Sequence, residues 1–157
     1  MISPQQILDS LKRERPTDIW LNATNNWVRL LSSGGIGRLT EDLVAIILGG
    51  IKTQNSLVGY DIDVSDKKIE VKAATVSISN RYPLLSWKGI RPNDPYTHIC
   101  FVAIYPEDTR IFLVPKDDIP TKSLSPMNVP RKGMQVNYQI HIRKINNLPE
   151  WLINYEI

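Results

Sequence analysis

Sulfur and imidazole are scarce in this chain: its 157 residues include one cysteine, Cys100, and two histidines, His98 and His141. A lone cysteine has no disulfide partner and no set of ligands for a zinc site. It lies in the apolar run 98–105 and reads as a core residue. The histidines fall in separate strand-like patterns and have no second histidine or cysteine pair nearby, which excludes a metal finger and a histidine-based nuclease. The glycines at 34, 35 and 37 are followed by no Gly-Lys-Ser/Thr and form no dinucleotide fingerprint, so they are expected to mark a helix junction. The serines among them lack a positioned histidine, as nucleophilic catalysis would require. Net charge is low, 19 basic against 16 acidic residues for +3, and does not by itself mark a nucleic-acid binder. No apolar run is long enough to cross a bilayer and no leader-like segment opens the sequence, so neither membrane insertion nor secretion is expected, and a reducing cytoplasm fits. Repeats and low-complexity tracts are absent. With 42% hydrophobic residues, the chain is expected to fold as a single domain over 1–157.

Residues 59–72, Gly-Tyr-Asp-Ile-Asp-Val-Ser-Asp-Lys-Lys-Ile-Glu-Val-Lys, carry the strongest pattern. Val58, Tyr60, Ile62 and Val64 alternate with Asp61 and Asp63, and Ile69 and Val71 alternate with Lys68, Glu70 and Lys72. Two strands with one apolar and one charged face are expected, joined at the polar cluster 65–68. With Asp66-Lys67 as the tip, Ser65 pairs with Lys68, Asp63 with Glu70, and Asp61 with Lys72. Carboxylates gathered so closely repel unless a cation lies between them, and oxygen ligands select a hard ion such as magnesium, with manganese as the usual substitute. A lysine on the same face can orient a water or stabilise charge developing on a phosphate. The chemistry expected is phosphodiester hydrolysis.

A third acid stands upstream. In residues 37–50, Leu39, Leu43, Ile46 and Ile47 form one helical face, and Gly49-Gly50 end the helix. Glu41 shares its own face with Val44, Ala45 and Leu48, so its carboxylate rises from an otherwise apolar surface and needs a partner.

A helix bearing Glu41, a strand bearing Asp61 and a paired strand bearing Glu70-Val71-Lys72 together resemble the PD-(D/E)XK nuclease superfamily, restriction-endonuclease-like members in particular. The resemblance is close over 37–72 and looser to about residue 115. It implies an α/β fold, a restriction-endonuclease-like mixed β-sheet core flanked by helices, and a magnesium-dependent endonuclease of double-stranded DNA. It also implies roles. Asp61 and Glu70 hold the cation, the Val71 carbonyl adds a ligand, Lys72 positions the attacking water, and Glu41 completes the shell directly or through water. A homodimer is implied too, because two strands need two sites. The chain departs from the family pattern where Tyr60 stands in place of the proline that often precedes the aspartate. Asp63 competes with Asp61 and is the reserve ligand. Pro83, Pro92 and Pro95 forbid the usual long crossover helix, so that connection should be short, irregular or partly extended. Two other functions fit the same residues, a junction-resolving or repair nuclease and a nucleic-acid-binding module without hydrolytic activity.

Elsewhere a first helix is expected from about Pro4 to Glu14, capped by Ser3 and stopped at Arg15-Pro16, and a second from Asp18 to Leu31. The strand carrying Glu70 is expected to continue to Ile78. Strands are also expected over 98–105, 110–114 and 135–143, with a proline-punctuated loop over 120–133 and a short helix over 148–155. In domain terms this gives N-terminal helices over about 4–31, a catalytic core over about 37–115, and a C-terminal strand and helix over about 135–157. Lys88, Arg91, Arg131 and Lys132 are candidate phosphate contacts, with Arg143-Lys144 as a further basic pair.

Overall fold

The computed structural model describes residues 3–13, 18–54, 56–79, 82–129 and 131–157. The described residues form four α-helices, α1 (Pro4–Arg13), α2 (Asn26–Arg29), α3 (Ser33–Leu48) and α4 (Glu150–Ile153). The strands are β1 (Ile51–Lys52), β2 (Ile62–Val64), β3 (Lys67–Thr75), β4 (Ser77–Ser79), β5 (Tyr82–Ile90), β6 (His98–Ile104), β7 (Thr109–Pro115), β8 (Ser125–Pro126) and β9 (Tyr138–Ile142). The architecture is mixed α/β. One sheet runs β1-β2-β3-β6-β7, with β3 and β6 parallel and the remaining pairs antiparallel. A second sheet runs β4-β5-β9-β8.

A parallel pair needs a crossover, and here it is extended. The expected continuous strand to Ile78 is corrected: β3 stops at Thr75, and the chain enters the second sheet through the β4–β5 pair. Buried Val76 is the break. Its N–H donates to Ile104 O at 3.0 Å while its carbonyl accepts the Trp20 indole N–H at 3.0 Å. Both backbone groups are satisfied without a continuing ladder. The sheets meet over a common core in which Trp87 packs edge-on to Phe101 at 5.3 Å and its indole donates to Val102 O. In β6 every residue after His98 is buried, so this strand is covered on both faces. Cys100 is among them, and burial pushes its thiol pKa up to about 12.

Helix α3 begins earlier than expected, and its first turn contains Gly34, Gly35 and Gly37 instead of placing them at a junction. Ser32 accounts for this, since its hydroxyl accepts the Gly35 N–H at 3.0 Å and caps the turn. At the other end Gly49 takes the left-handed conformation, φ 64°, as a C-terminal stop. The packed side is the one carrying Thr40, Glu41 and Val44, while Ile46 is 80% exposed and Ile47 49%. Buried Thr40 stays satisfied by donating to Ile36 O or Gly37 O.

The expected helix from Asp18 to Leu31 reduces to α2 and a series of turns. Short polar side chains compete with the helical backbone there. Asp18 accepts the Trp20 N–H, and Asn25 Nδ2 donates to Tyr105 O at 2.9 Å. Asn22 has φ 60°. Helix α1 starts as expected, with Ser3 Oγ accepting the Gln6 N–H, whereas Glu14, Arg15 and Pro16 lie outside the described residues. Among the described residues no helix is long and apolar enough to cross a membrane.

Candidate active site

The β2–β3 hairpin forms with the expected faces but a different register. Its turn is Ser65-Asp66, so Val64 pairs with Lys67, Asp63 with Lys68, and Ile62 with Ile69. Ser65 adopts φ 52°, as the tight turns that match strand twist require. The tip lies one residue earlier than expected, which displaces every partner by two positions and leaves the faces intact. Asp61 lies just before β2, outside the ladder, with its N–H donating to Ile69 O at 2.9 Å, and Asp63 pairs with Lys68, which corrects the expected pairings of Asp61 with Lys72 and Asp63 with Glu70. Just before β2, Gly59 has φ 78° and passes so near Pro95 that an added Cβ would lie 2.7 Å from Cδ. No other residue could turn the chain into Asp61 at this point.

Asp61 is held from the backbone, with the Val71 N–H donating to its Oδ2 at 2.8 Å. Burial and then the neighbouring Glu70 charge raise its carboxyl pKa, opposed by the Val71 N–H, Lys72 and Lys52. Glu70 is buried at 8% exposure and pairs with Lys72 Nζ at 2.6 Å. Two neighbouring carboxylates thus share a single closely bound lysine, paired to Glu70, an imbalance that favours a proton or a cation.

Glu41, Gln54, Asp61, Glu70 and Arg91 line one cleft of about 270 Å³. Glu41 enters it from the packed side of α3, and Lys52 Nζ lies 3.3 Å from its carboxylate and 2.8 Å from Asp42. Arg91 pairs with Asp94 at 2.9 Å. Among the described residues no three acidic, histidine or cysteine side chains are close enough to hold a metal ion as they stand. Asp61 and Glu70 are the carboxylates that lie together in the cleft, while Glu41 is paired with Lys52. The Val71 carbonyl opens on the side of β3 that faces Asp61, since its N–H points at Asp61 and the N–H and C=O of one strand residue leave on the same side.

Asp63 does not line this cleft. It is exposed and accepts a 3.3 Å hydrogen bond from the Tyr60 hydroxyl. Lys72 lines a neighbouring cleft of about 440 Å³ together with Lys88, Ser86 and Ser33. Arg131 and Lys132 are exposed and line neither cleft. His98 contacts the Thr97 hydroxyl, and His141 is exposed opposite Ser86 across the β5–β9 ladder. Lys52 and Gln54 escaped the reading of the sequence because β1 is too short to show a period, and nothing in 51–54 but an isolated lysine hinted at a role.

No protein-family model matches the chain, and no curated protein sequence matches it. Among solved structures it is similar to a bacterial homing endonuclease, I-Ssp6803I, at 20% identity over 78% of this chain and 84% of that one, with a TM-score of 0.44.

Proposed function

We propose that this chain is a metal-dependent endonuclease that hydrolyses phosphodiester bonds in double-stranded DNA, in the manner of restriction-like PD-(D/E)XK enzymes. The observation that carries the reading is a half-buried Asp61 beside the buried Glu70, with the Lys72 ammonium 2.6 Å from Glu70. A polar face kept only for solubility would not be buried, and a structural ion pair would need one acid for its lysine, not two.

The donors suit magnesium or manganese, being all oxygen and carrying excess negative charge. Asp61 and Glu70 would hold the ion with the Val71 carbonyl, and Glu41 would reach it through water while paired to Lys52. When bound, such an ion supplies Lewis acidity to the scissile phosphate and to the leaving oxygen. The chain's own groups do the rest. Lys72, anchored on Glu70, orients the attacking water and offsets negative charge growing on the phosphate. The Val71 N–H fixes the Asp61 carboxylate in one rotamer, so little reorganisation accompanies the reaction. Arg91, at the cleft wall, neutralises an incoming phosphate oxygen.

Supercoiled plasmid incubated with magnesium or manganese should be nicked or linearised, and excess chelator should stop it. Cutting at full rate in chelator would overturn the proposal. The Glu41–Lys52 pair favours a second reading, a nucleic-acid-binding module without hydrolysis. Plasmid retained by the protein but left intact across a divalent-ion titration would select that reading.

A further inference from the structure

The cleft on the far side of Lys72 differs from the carboxylate cleft in its chemistry. It is lined by no acidic and no aromatic residue, and its polar groups are Lys72, Lys88, Ser33, Thr75, Ser77 and Ser86. Lys88 is exposed and, among the described residues, has no carboxylate partner, as is true of other surface basic residues, whereas the other lysine of this cleft, Lys72, is paired with Glu70. It is placed there by an irregularity: the β5–β9 register shifts between Trp87 and Ile90, and Gly89 takes φ 71°. Such bulges re-aim a side chain. The Lys72 ammonium reaches across to Gly89, since a Cβ there would lie 3.9 Å from Lys72 Nζ. At the same cleft, the Ser86 Oγ is buried and has no hydrogen-bond partner among the described residues. An orphaned buried hydroxyl is costly unless something occupies it.

We propose that this cleft seats the DNA phosphate next to the scissile one, held by Lys88 and the Ser86 hydroxyl, with Lys72 standing between the two phosphates. The inference rests on the endonuclease reading and adds a binding site to it. Phosphates recur about every 3.4 Å of axis along one strand, so a strand with one phosphate against Asp61 and Glu70 that runs on past the Glu70–Lys72 pair brings its next phosphate to the cleft of Lys88. A lining without aromatic rings suits the backbone better than a base, which would need a stacking platform. The start of α3 at Ser33 adds the positive end of a helix dipole.

The test is fluorescence anisotropy of the full chain with a short labelled duplex, without divalent ions, over a range of salt concentrations. Lys88→Ala should weaken binding roughly five- to tenfold and lower the log-log salt slope by about 0.9, the value for one lost phosphate contact. Ser86→Ala should weaken binding about two- to threefold with the slope unchanged, because a neutral donor releases no counterion. Its melting temperature should hold or rise, since an orphaned hydroxyl is removed. A single uncharged methylphosphonate linkage should cost the native protein affinity at one position and cost Lys88→Ala nothing there. An unchanged slope and affinity in Lys88→Ala would overturn the phosphate seat alone, and a lowered melting temperature in Ser86→Ala would remove Ser86 from it. Native protein that binds no DNA at any salt would overturn the endonuclease reading as well. Inorganic phosphate should displace the duplex no better than sodium chloride of equal ionic strength. Displacement by phosphate that requires Lys88 would instead mark a site for the free ion and overturn the assignment to a strand.

Discussion

The two clefts linked by the Glu70–Lys72 ion pair are lined from the same strand, yet they have opposite electrostatic character. On one side Glu70 and Asp61 leave negative charge only partly compensated, and every cation lining or flanking the cleft, Lys52, Lys72 and Arg91, is already paired. On the other side Lys88 is unpaired and no acid is present. Buried acids crowded together favour a cation, and exposed unpaired cations favour an anion. On the proposed function, a strand that presents both within a few residues divides its work between chemistry and grip.

The division can be broken most severely from the acidic side. Asp61→Ala and Glu70→Ala should each lower plasmid cleavage by at least about a thousandfold, because each removes one of only two proposed carboxylate ligands. Asp63→Ala should leave cleavage within a few-fold of the native rate, since Asp63 lines no part of the cleft. Gel assays of nicked and linear plasmid read both. Lys72→Ala comes next. It should cost about a hundredfold or more in cleavage while duplex affinity, read by anisotropy, falls far less. Equal losses in cutting and binding would place Lys72 with the grip and erase the distinction.

The faces of the β2–β3 hairpin were legible in the alternation of Asp61, Ile62 and Asp63, but alternation did not show that Asp61 would line the cleft beside Glu70 while Asp63 stays exposed outside it. The register was not legible. A two-position slip keeps every side chain on its face, so alternation cannot tell Asp66-Lys67 from Ser65-Asp66 as the tip, and the choice depended on Ser65 accepting a positive φ. The proline-dense connection after β4 was correctly expected to lack a long helix. Apolar spacing misled over 18–31, where Asp18 and Asn25 hold turns through side-chain bonds to backbone groups as distant as Tyr105. The contact between Lys52 and Glu41 is likewise tertiary, joining β1 to α3, and no local pattern announces it. Ser86 looks like an ordinary polar position within a strand until its hydroxyl is seen to lack a partner.

A smaller effect concerns stability. Because the Asp61 carboxyl is raised, it is ionised in the native state at a cost. That cost is present above the raised value and absent below the ordinary carboxylate range, where both folded and unfolded chains hold the proton, so stability falls as pH rises through the window between them. Asp61→Asn, which keeps an acceptor for the Val71 N–H, should therefore melt higher than the native chain at neutral pH. The difference should close as the pH falls to about 4. Magnesium should raise the native melting temperature and leave that of Asp61→Asn unmoved. Thermal melts at several pH values, with and without magnesium, provide the check. The smallest effect is expected from Arg131→Ala with Lys132→Ala, whose positions line neither cleft: the salt slope should change by less than it does for Lys88→Ala.

The central claim, that Asp61 with Glu70 forms a cation site for DNA cleavage, is tested most directly by plasmid nicking rates measured against manganese concentration for the native chain, Asp61→Ala and Asp63→Ala. The account predicts saturable curves for the native chain and Asp63→Ala, and a flat baseline for Asp61→Ala at every concentration. A saturable curve of native height from Asp61→Ala, or a flat one from Asp63→Ala, would contradict it.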